Sequence, residues 1–355
     1  MIQDPLIRIL LAPVSFLYGV GVSLRDFMYR RRLLRAFKFD IPVISVGNLS
    51  VGGAGKTPHI EYLIRLLRPY LNVATLSRGY RRKSVGYRVA EVNSNVEEVG
   101  DEPLMFKRKY PDVFVTVNEQ RVFGISQIIQ DQPGTQVVLL DDAFQHRAVD
   151  PGLNILLTEF QRPFTRDYLL PSGRLREWRS AYHRADIIIV SKCPEDITEE
   201  ERNKMTFEIN PFPQQKIYFS SYRYLTPYYI LNAGYRLALQ DSMSVLMVCA
   251  IAGTDYLKDY LESKVGRVRV KSYPDHHPFS ETDLEDIEKM FHAMPGGTKV
   301  IVTTEKDAMR FAPHRQWLVE KKIPLLVLPV EVYFHFEGGE EFDEEVRRFL
   351  LDFRV

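Results

Sequence analysis

The sequence predicts an α/β chain built on a parallel sheet, with a second, smaller α/β unit behind it and an apolar helix in front. Three observations carry this expectation. Short apolar runs alternate with helical periodicities from residue 39 to residue 220, a second such series starts near Met243, and the only charge in residues 6–22 is Arg8. The expected division is a helix over 1–38, a core domain over 39–220, linker strands over 221–235 and a C-terminal α/β domain over 236–355.

Composition bounds the reading. A chain of 355 residues is long enough for two domains, each with a core. The 20 glycines and 21 prolines are scattered and 45% of residues are apolar, which excludes low-complexity disorder and collagen-like repeats. Cys193 and Cys249 lie outside any CxxC pattern, which argues against a disulfide scaffold or a cysteine-built zinc site and fits a reducing cytosol. A net charge of +1 argues against a protein that coats nucleic acid, and nothing implies an oligomer.

The charge is unevenly placed. Residues 1–40 carry seven basic side chains against Asp4, Asp26 and Asp40. Within this stretch Leu6, Ile9, Leu10, Pro13, Phe16, Leu17, Val20, Leu24, Phe27 and Met28 recur at helical spacing, while Arg8, Ala12, Ser15, Gly19, Ser23, Asp26 and Arg30 fall on the other face. The uninterrupted run, 6–22, reaches about 25 Å as a helix, short of a ~30 Å hydrocarbon core. The pattern suits a helix that lies in a bilayer interface or spans it marginally, with Arg30–Arg32 facing anionic cytosolic lipid; packing on the rest of the protein is the alternative.

Strands are predicted at Pro42–Val46, Asn72–Leu76, Val113–Val117, Gln136–Leu140, Leu153–Leu157 and Ile187–Val190, with helices over Thr57–Leu67 and Arg121–Gln130. The second series is Val245–Ala250, Arg267–Lys271, Lys299–Thr303 and Leu325–Leu328, joined to the first by the tyrosine-rich 220–231.

The strongest local signal is Ser50-Val51-Gly52-Gly53-Ala54-Gly55-Lys56-Thr57, between the first strand and its helix. Small residues let successive backbone N–H groups converge on phosphate oxygens, a lysine neutralises the β/γ charge, and a hydroxyl serves Mg²⁺. Ser50 replaces the usual first glycine, but Gly-Lys-Thr is intact, so this is read as a P-loop NTPase-type phosphate site. Val137–Asp142 supports it: a buried strand ending in two carboxylates suits Mg²⁺, although such acids also cap helices or line turns. Ser191-Lys192-Cys193-Pro194-Glu195-Asp196 follows a strand where a base is often read, but it lacks the Asn-Lys-x-Asp form of a guanine site.

Further blocks are Ile44–Asn48, Ser77-Arg78-Gly79-Tyr80, Val99–Pro103, Leu140–His146, Leu170–Glu177, Tyr273–Phe279 and Thr303–Ala308. Together and in this order they resemble the tetraacyldisaccharide 4′-kinase family of lipid A biosynthesis, over most of the chain. One block departs from it: Cys249-Ala250-Ile251-Ala252-Gly253-Thr254-Asp255 stands where the family reads closer to Gly-Ile-Ala-Asn-Pro.

The resemblance implies ATP-dependent phosphorylation of the 4′-hydroxyl of a lipid disaccharide 1-phosphate at the cytoplasmic face of the bacterial inner membrane, with ATP and Mg²⁺. It favours Asp101, otherwise a capping acid, as the group that draws the hydroxyl proton, with His276 as its partner and Asp275 orienting the imidazole. A metal site or a solvated loop at Asp275–His277 is the competing reading. Glu177 is expected beside Thr57 and Asp142 around Mg²⁺, unless it forms a surface ion pair. Tyr80, Arg121, Asp141 and Asp275 are assigned to the lipid headgroup, while Arg81–Lys83 also read as solvated charge. A GTPase or metallochaperone would need a guanine motif and Cys or His tracts, and a non-catalytic membrane module would have no use for Asp101 and His276.

Overall fold

The computed structural model describes residues 5–354. Its strands are β1 (Val43–Asn48), β2 (Val73–Ser77), β3 (Arg88–Val89), β4 (Phe114–Val117), β5 (Val137–Asp141), β6 (Leu153–Glu159), β7 (Ile187–Ser191), β8 (Lys216–Tyr224), β9 (Tyr228–Tyr229), β10 (Asn232–Arg236), β11 (Met243–Cys249), β12 (Arg267–Ser272), β13 (Thr298–Thr304), β14 (Leu325–Leu328) and β15 (Val330–Phe334). They form a nine-stranded sheet ordered β15-β8-β7-β6-β1-β5-β2-β4-β3 and a six-stranded sheet ordered β10-β9-β14-β13-β11-β12. In the large sheet β8, β7, β6, β1, β5, β2 and β4 run parallel, and antiparallel β15 and β3 close its edges. Every residue of β1, β2, β5 and β7 is buried, as both faces of a parallel sheet require.

The helices are α1 (Pro5–Arg30), α2 (Lys56–Leu67), α3 (Val96–Val99), α4 (Asp101–Lys109), α5 (Arg121–Asp131), α6 (Glu199–Ile209), α7 (Asp255–Glu262), α8 (Glu281–His292), α9 (Glu305–Phe311), α10 (Arg315–Glu320) and α11 (Gly338–Asp352). Contact between α4 and α9 joins the sheets, and one apolar cluster runs through both, from Ile44 and Phe106 to Leu246 and Phe311.

The chain returns to the first sheet at its end, which the sequence reading of 236–355 as one unit did not anticipate. Val330–Phe334 pairs with β8, and Phe334 and Phe342 pack against Tyr62 and Tyr218. Aromatic burial against α2 and β8 fixes this end of the chain to the large sheet. Similarly, β8 extends to Tyr224, so the crossing between sheets begins later than residue 220.

Helix α1 has 26 residues, about 39 Å, longer than the apolar run alone suggested. It is long and apolar enough to cross a membrane. Its two stripes separate as their spacing predicts. Leu6, Ile9, Leu10, Phe16, Leu17 and Leu24 are exposed. The other face docks on 169–178: Ser15 Oγ donates to Ser172 Oγ at 2.8 Å, Tyr18 Oη to the Arg176 carbonyl at 2.8 Å, and Trp178 Nε1 to Ser23 Oγ at 2.9 Å. Arg25 pairs with Glu177, and Asp26 with Arg147.

Candidate active site

The phosphate loop leaves β1 and enters α2 through Gly52 and Gly55, with φ of 116° and 87°. At Gly55 a side chain is excluded twice, by the left-handed backbone and by Tyr222 Oη, which would lie 2.1 Å from a Cβ. Lys56 Nζ donates to Asn48 Oδ1 at 3.0 Å and lies 3.7 Å from Asp142 Oδ1. His59, one turn into α2, binds the Gly55 carbonyl at 2.7 Å and Ser220 Oγ at 3.0 Å. Burial holds its imidazole at about 4, hence neutral, with Nδ1–H donating to the carbonyl.

The two strand-end acids differ. Burial raises the Asp142 carboxyl, but Lys56 and Arg176 outweigh it and hold the group well below the usual carboxylate range. Asp141 is pushed up to about 7 by burial, then by the charges of Glu102 and Asp142. Its Oδ1 is buried with no hydrogen-bond partner, while Oδ2 accepts from Ser77 at 3.5 Å. Asp142 thus has its cations, whereas Asp141 Oδ1 has no partner.

Arg176, not Glu177, stands beside Asp142, as a cation and not as a metal ligand. Its Nη2 donates to Asp142 Oδ1 at 2.9 Å and to Asn48 Oδ1 at 2.6 Å. Leu175 bridges Ser50 in antiparallel fashion, and consecutive side chains of an extended segment point to opposite faces. Arg176 therefore faces the loop, and Glu177 faces away, buried between Arg25 and Arg184 rather than beside Thr57 and Asp142. The competing expectation, an ion pair, describes Glu177 better, although the pair is buried.

Across the cavity, α4 and α9 bring the second cluster together. His276 Nδ1 lies 2.9 Å from Asp101 Oδ2, and Arg310 reaches the same oxygen with Nη2 at 2.8 Å and Nε at 3.1 Å. Asp101 Oδ1 accepts the Glu102 amide at 3.0 Å. Burial alone would raise the Asp101 carboxyl; the His276 hydrogen bond and the charges of Lys306 and Arg310 hold it well below its ordinary range. Lys306 Nζ lies 3.1 Å from His276 Nε2 and 2.9 Å from Glu102 Oε1. Asp275 Oδ2 stands 3.7 Å from Nε2, too far to orient the ring, and that position belongs to Lys306. Asp101, Glu102 and His276 have ligand-type atoms within 4.8 Å of one another, but Lys306 and Arg310 already place cations there, which disfavours a metal. His277 points away, to Asp283 at 2.9 Å.

Three non-glycine residues at the site, Asp142, Lys192 and His276, have left-handed backbones (φ 48°, 57° and 60°). Lys192 Nζ binds Glu159 Oε1 at 2.5 Å beside the loop. Tyr80 is half exposed, its ring 4.8 Å from that of His276. Arg121 is not available to a headgroup: it is 2% exposed and donates to the carbonyls of Asn118 and Asp141. Being the first residue of α5, it folds back under β5. Arg78 lines the cavity instead, without a carboxylate partner among the described residues. One cavity of 1030 Å³ takes in Ser50–Gly53, Gly55–Thr57, Asp141, Asp142, Tyr80 and His276, and its wall includes Tyr18, Gly21 and Arg25 of α1.

A parallel sheet, a glycine-bounded loop opening α2 with its lysine toward a strand-end acid, and a facing acid–imidazole pair define a P-loop phosphotransferase-type protein. The family described as tetraacyldisaccharide-1-P 4′-kinase matches residues 7–350, and the chain belongs to that family. It is similar to the tetraacyldisaccharide 4′-kinase of Phocaeicola vulgatus, 42% identical over 95% of this chain and 93% of the relative, and to that of Bacteroides thetaiotaomicron, 43% identical over 95% and 91%. The crystal structure of LpxK from Aquifex aeolicus in complex with ATP superposes with a TM-score of 0.73 at 28% identity, covering 97% of this chain and 99% of that one.

Proposed function

We propose that this protein transfers the γ-phosphoryl group of ATP to the 4′-hydroxyl of a tetraacylated glucosamine disaccharide 1-phosphate, giving the bis-phosphorylated lipid A precursor. The carrying observation is the single cavity that holds both Lys56 and His276 and opens beside α1. In the reaction the sugar oxygen bonds to the γ-phosphorus, the bond to the β,γ-bridging oxygen breaks, and the hydroxyl proton passes to the Asp101–His276 pair. Residues 50–57 cradle the phosphates, with Lys56 neutralising their charge. Tyr80 and Arg78 stand where the sugar and its anionic group would enter, while Asp275, at the cavity wall, borders the same space.

Mg²⁺ fits the acidic strand end, because Asp141 Oδ1 is buried without a partner between two further acids. Asp141, Asp142 and Thr57 would hold it, and it would supply charge neutralisation for the phosphates. Moving Asp141 from the substrate to the metal, and Glu177 away from it, follows from their surroundings.

The exposed apolar face of α1 supports anchoring at the cytoplasmic face of the inner membrane, with 1–38 as the anchor, and Arg30–Arg32 would meet anionic lipid. Transfer of ³²P from γ-labelled ATP to the tetraacylated disaccharide 1-phosphate in detergent tests the reading. Failure to label that lipid at its 4′ position refutes it.

A further inference from the structure

Lys306 stands where three acids and an imidazole meet. It belongs to the first turn of α9, and its ammonium lies 2.9 Å from Glu102, 3.1 Å from His276 Nε2 and 3.8 Å from Asp275 Oδ1. Burial would discharge the amine, but Glu102, Asp101 and Asp275 outweigh that and keep it charged. An ammonium has donors only, so the contact requires Nε2 to present its lone pair. A ring proton then sits on Nδ1, the nitrogen facing Asp101.

We propose that Lys306 is a positioning residue that fixes the tautomer of His276, holding the Nδ1 proton toward Asp101. The other charged or titratable groups around the ring are Asp101, Glu102 and Arg310 from α4 and α9, Asp275 from its own loop, and Tyr80 and Arg81 from the loop after β2, Arg81 donating to the Asp275 carbonyl at 2.7 Å. The inference rests on the reading of Asp101 and His276 as the proton acceptor.

The test is ¹⁵N spectroscopy of histidine-labelled protein, with H276Q to assign the signal, alongside steady-state kinetics over a pH series. In the unaltered protein Nδ1 is protonated and Nε2 is bare. In K306M the Nε2–H tautomer appears, kcat falls ~10–100-fold and KM for ATP stays within about twofold. K306R keeps the tautomer and most of kcat. K306Q, which retains a donor without the charge, keeps the tautomer, and K306A replaces K306M if that variant does not fold. An unchanged tautomer in K306M or K306A overturns the proposal. A tautomer that switches while kcat is unaffected upholds the positioning role and instead refutes His276 as part of the acceptor.

Discussion

His276 Nδ1 lies 2.9 Å from Asp101 Oδ2, although 175 positions of chain separate the two residues, one opening a helix ahead of β4 in the large sheet and the other in the loop after β12 of the small one. The pair exists only where α4 meets the loop after β12. His276→Ala and Asp101→Ala are each expected to lower kcat and to leave ATP affinity nearly unchanged, since the phosphate loop lies across the cavity. The double variant is expected to be little worse than the poorer single one, because the two groups act as a unit. Turnover and nucleotide binding measured on all three check this; additive losses would contradict a shared acceptor.

Lys56→Ala and Thr57→Ala should each cripple turnover. The first removes the ammonium that stands beside Asp142 at 3.7 Å and leaves that acid facing the phosphates. Losses of ~100-fold or more are expected for transition-state charge left unneutralised. Near-normal rates with Mg·ATP in either variant would show that this loop is not the catalytic nucleotide site.

Arg310 is 5% exposed and joins Asp101 to Asp307, which is fully buried. Arg310→Met should cost about 3–5 kcal/mol, because it strands two buried carboxylates. Urea unfolding measures this directly, and a loss below 1 kcal/mol would show that the arginine is dispensable to packing.

Glu61 and Glu305 share one ammonium, Lys109, at 2.5 and 2.9 Å. Burial first, and then Glu305, pushes the Glu61 carboxyl up to about 7. Below the unfolded value near 4.5 both states hold the proton and there is no penalty; as pH climbs toward 7 the folded state progressively loses stability. Glu61→Gln should therefore raise the melting temperature at pH 8, with a gain that fades toward pH 4.5. A gain independent of pH would point to packing instead.

Deleting 1–25 would also remove the contacts of Ser15, Tyr18 and Arg25, so the membrane is better tested on the exposed stripe alone. Leu10→Gln, Leu17→Gln and Leu24→Gln together should move most of the protein into the soluble fraction without lowering its melting temperature. A membrane fraction that survives these changes and a high-salt wash would place the anchor elsewhere.

The alternation of apolar runs was enough to find the parallel strands, because burial on both faces leaves little choice of residue. The phosphate loop was legible for a local reason: its glycines, lysine and threonine are adjacent. Asp101 with His276 was readable from motif blocks. Arg176, Arg310 and Lys306 were not, since each acts through a partner far away in sequence. Glu177 was chosen over Arg176 because nothing local shows which face of an extended segment turns inward. Arg121 looked like a headgroup ligand until its helix start proved to be buried under β5. The last strand escaped notice because β15 is five residues long and follows β14 across a single proline, Pro329.

That proline marks a point of design. Tyr224 and Val330 are paired neighbours in an antiparallel ladder, so everything between them hangs from the tip of what would otherwise be an ordinary hairpin. His276 and Lys306 both lie within this inserted stretch, while Asp101 lies outside it. Excising 226–328 and joining the two strands through a short turn would leave the order of the nine-stranded sheet uninterrupted, but it would strip Asp101 of Arg310 and Lys109 of Glu305.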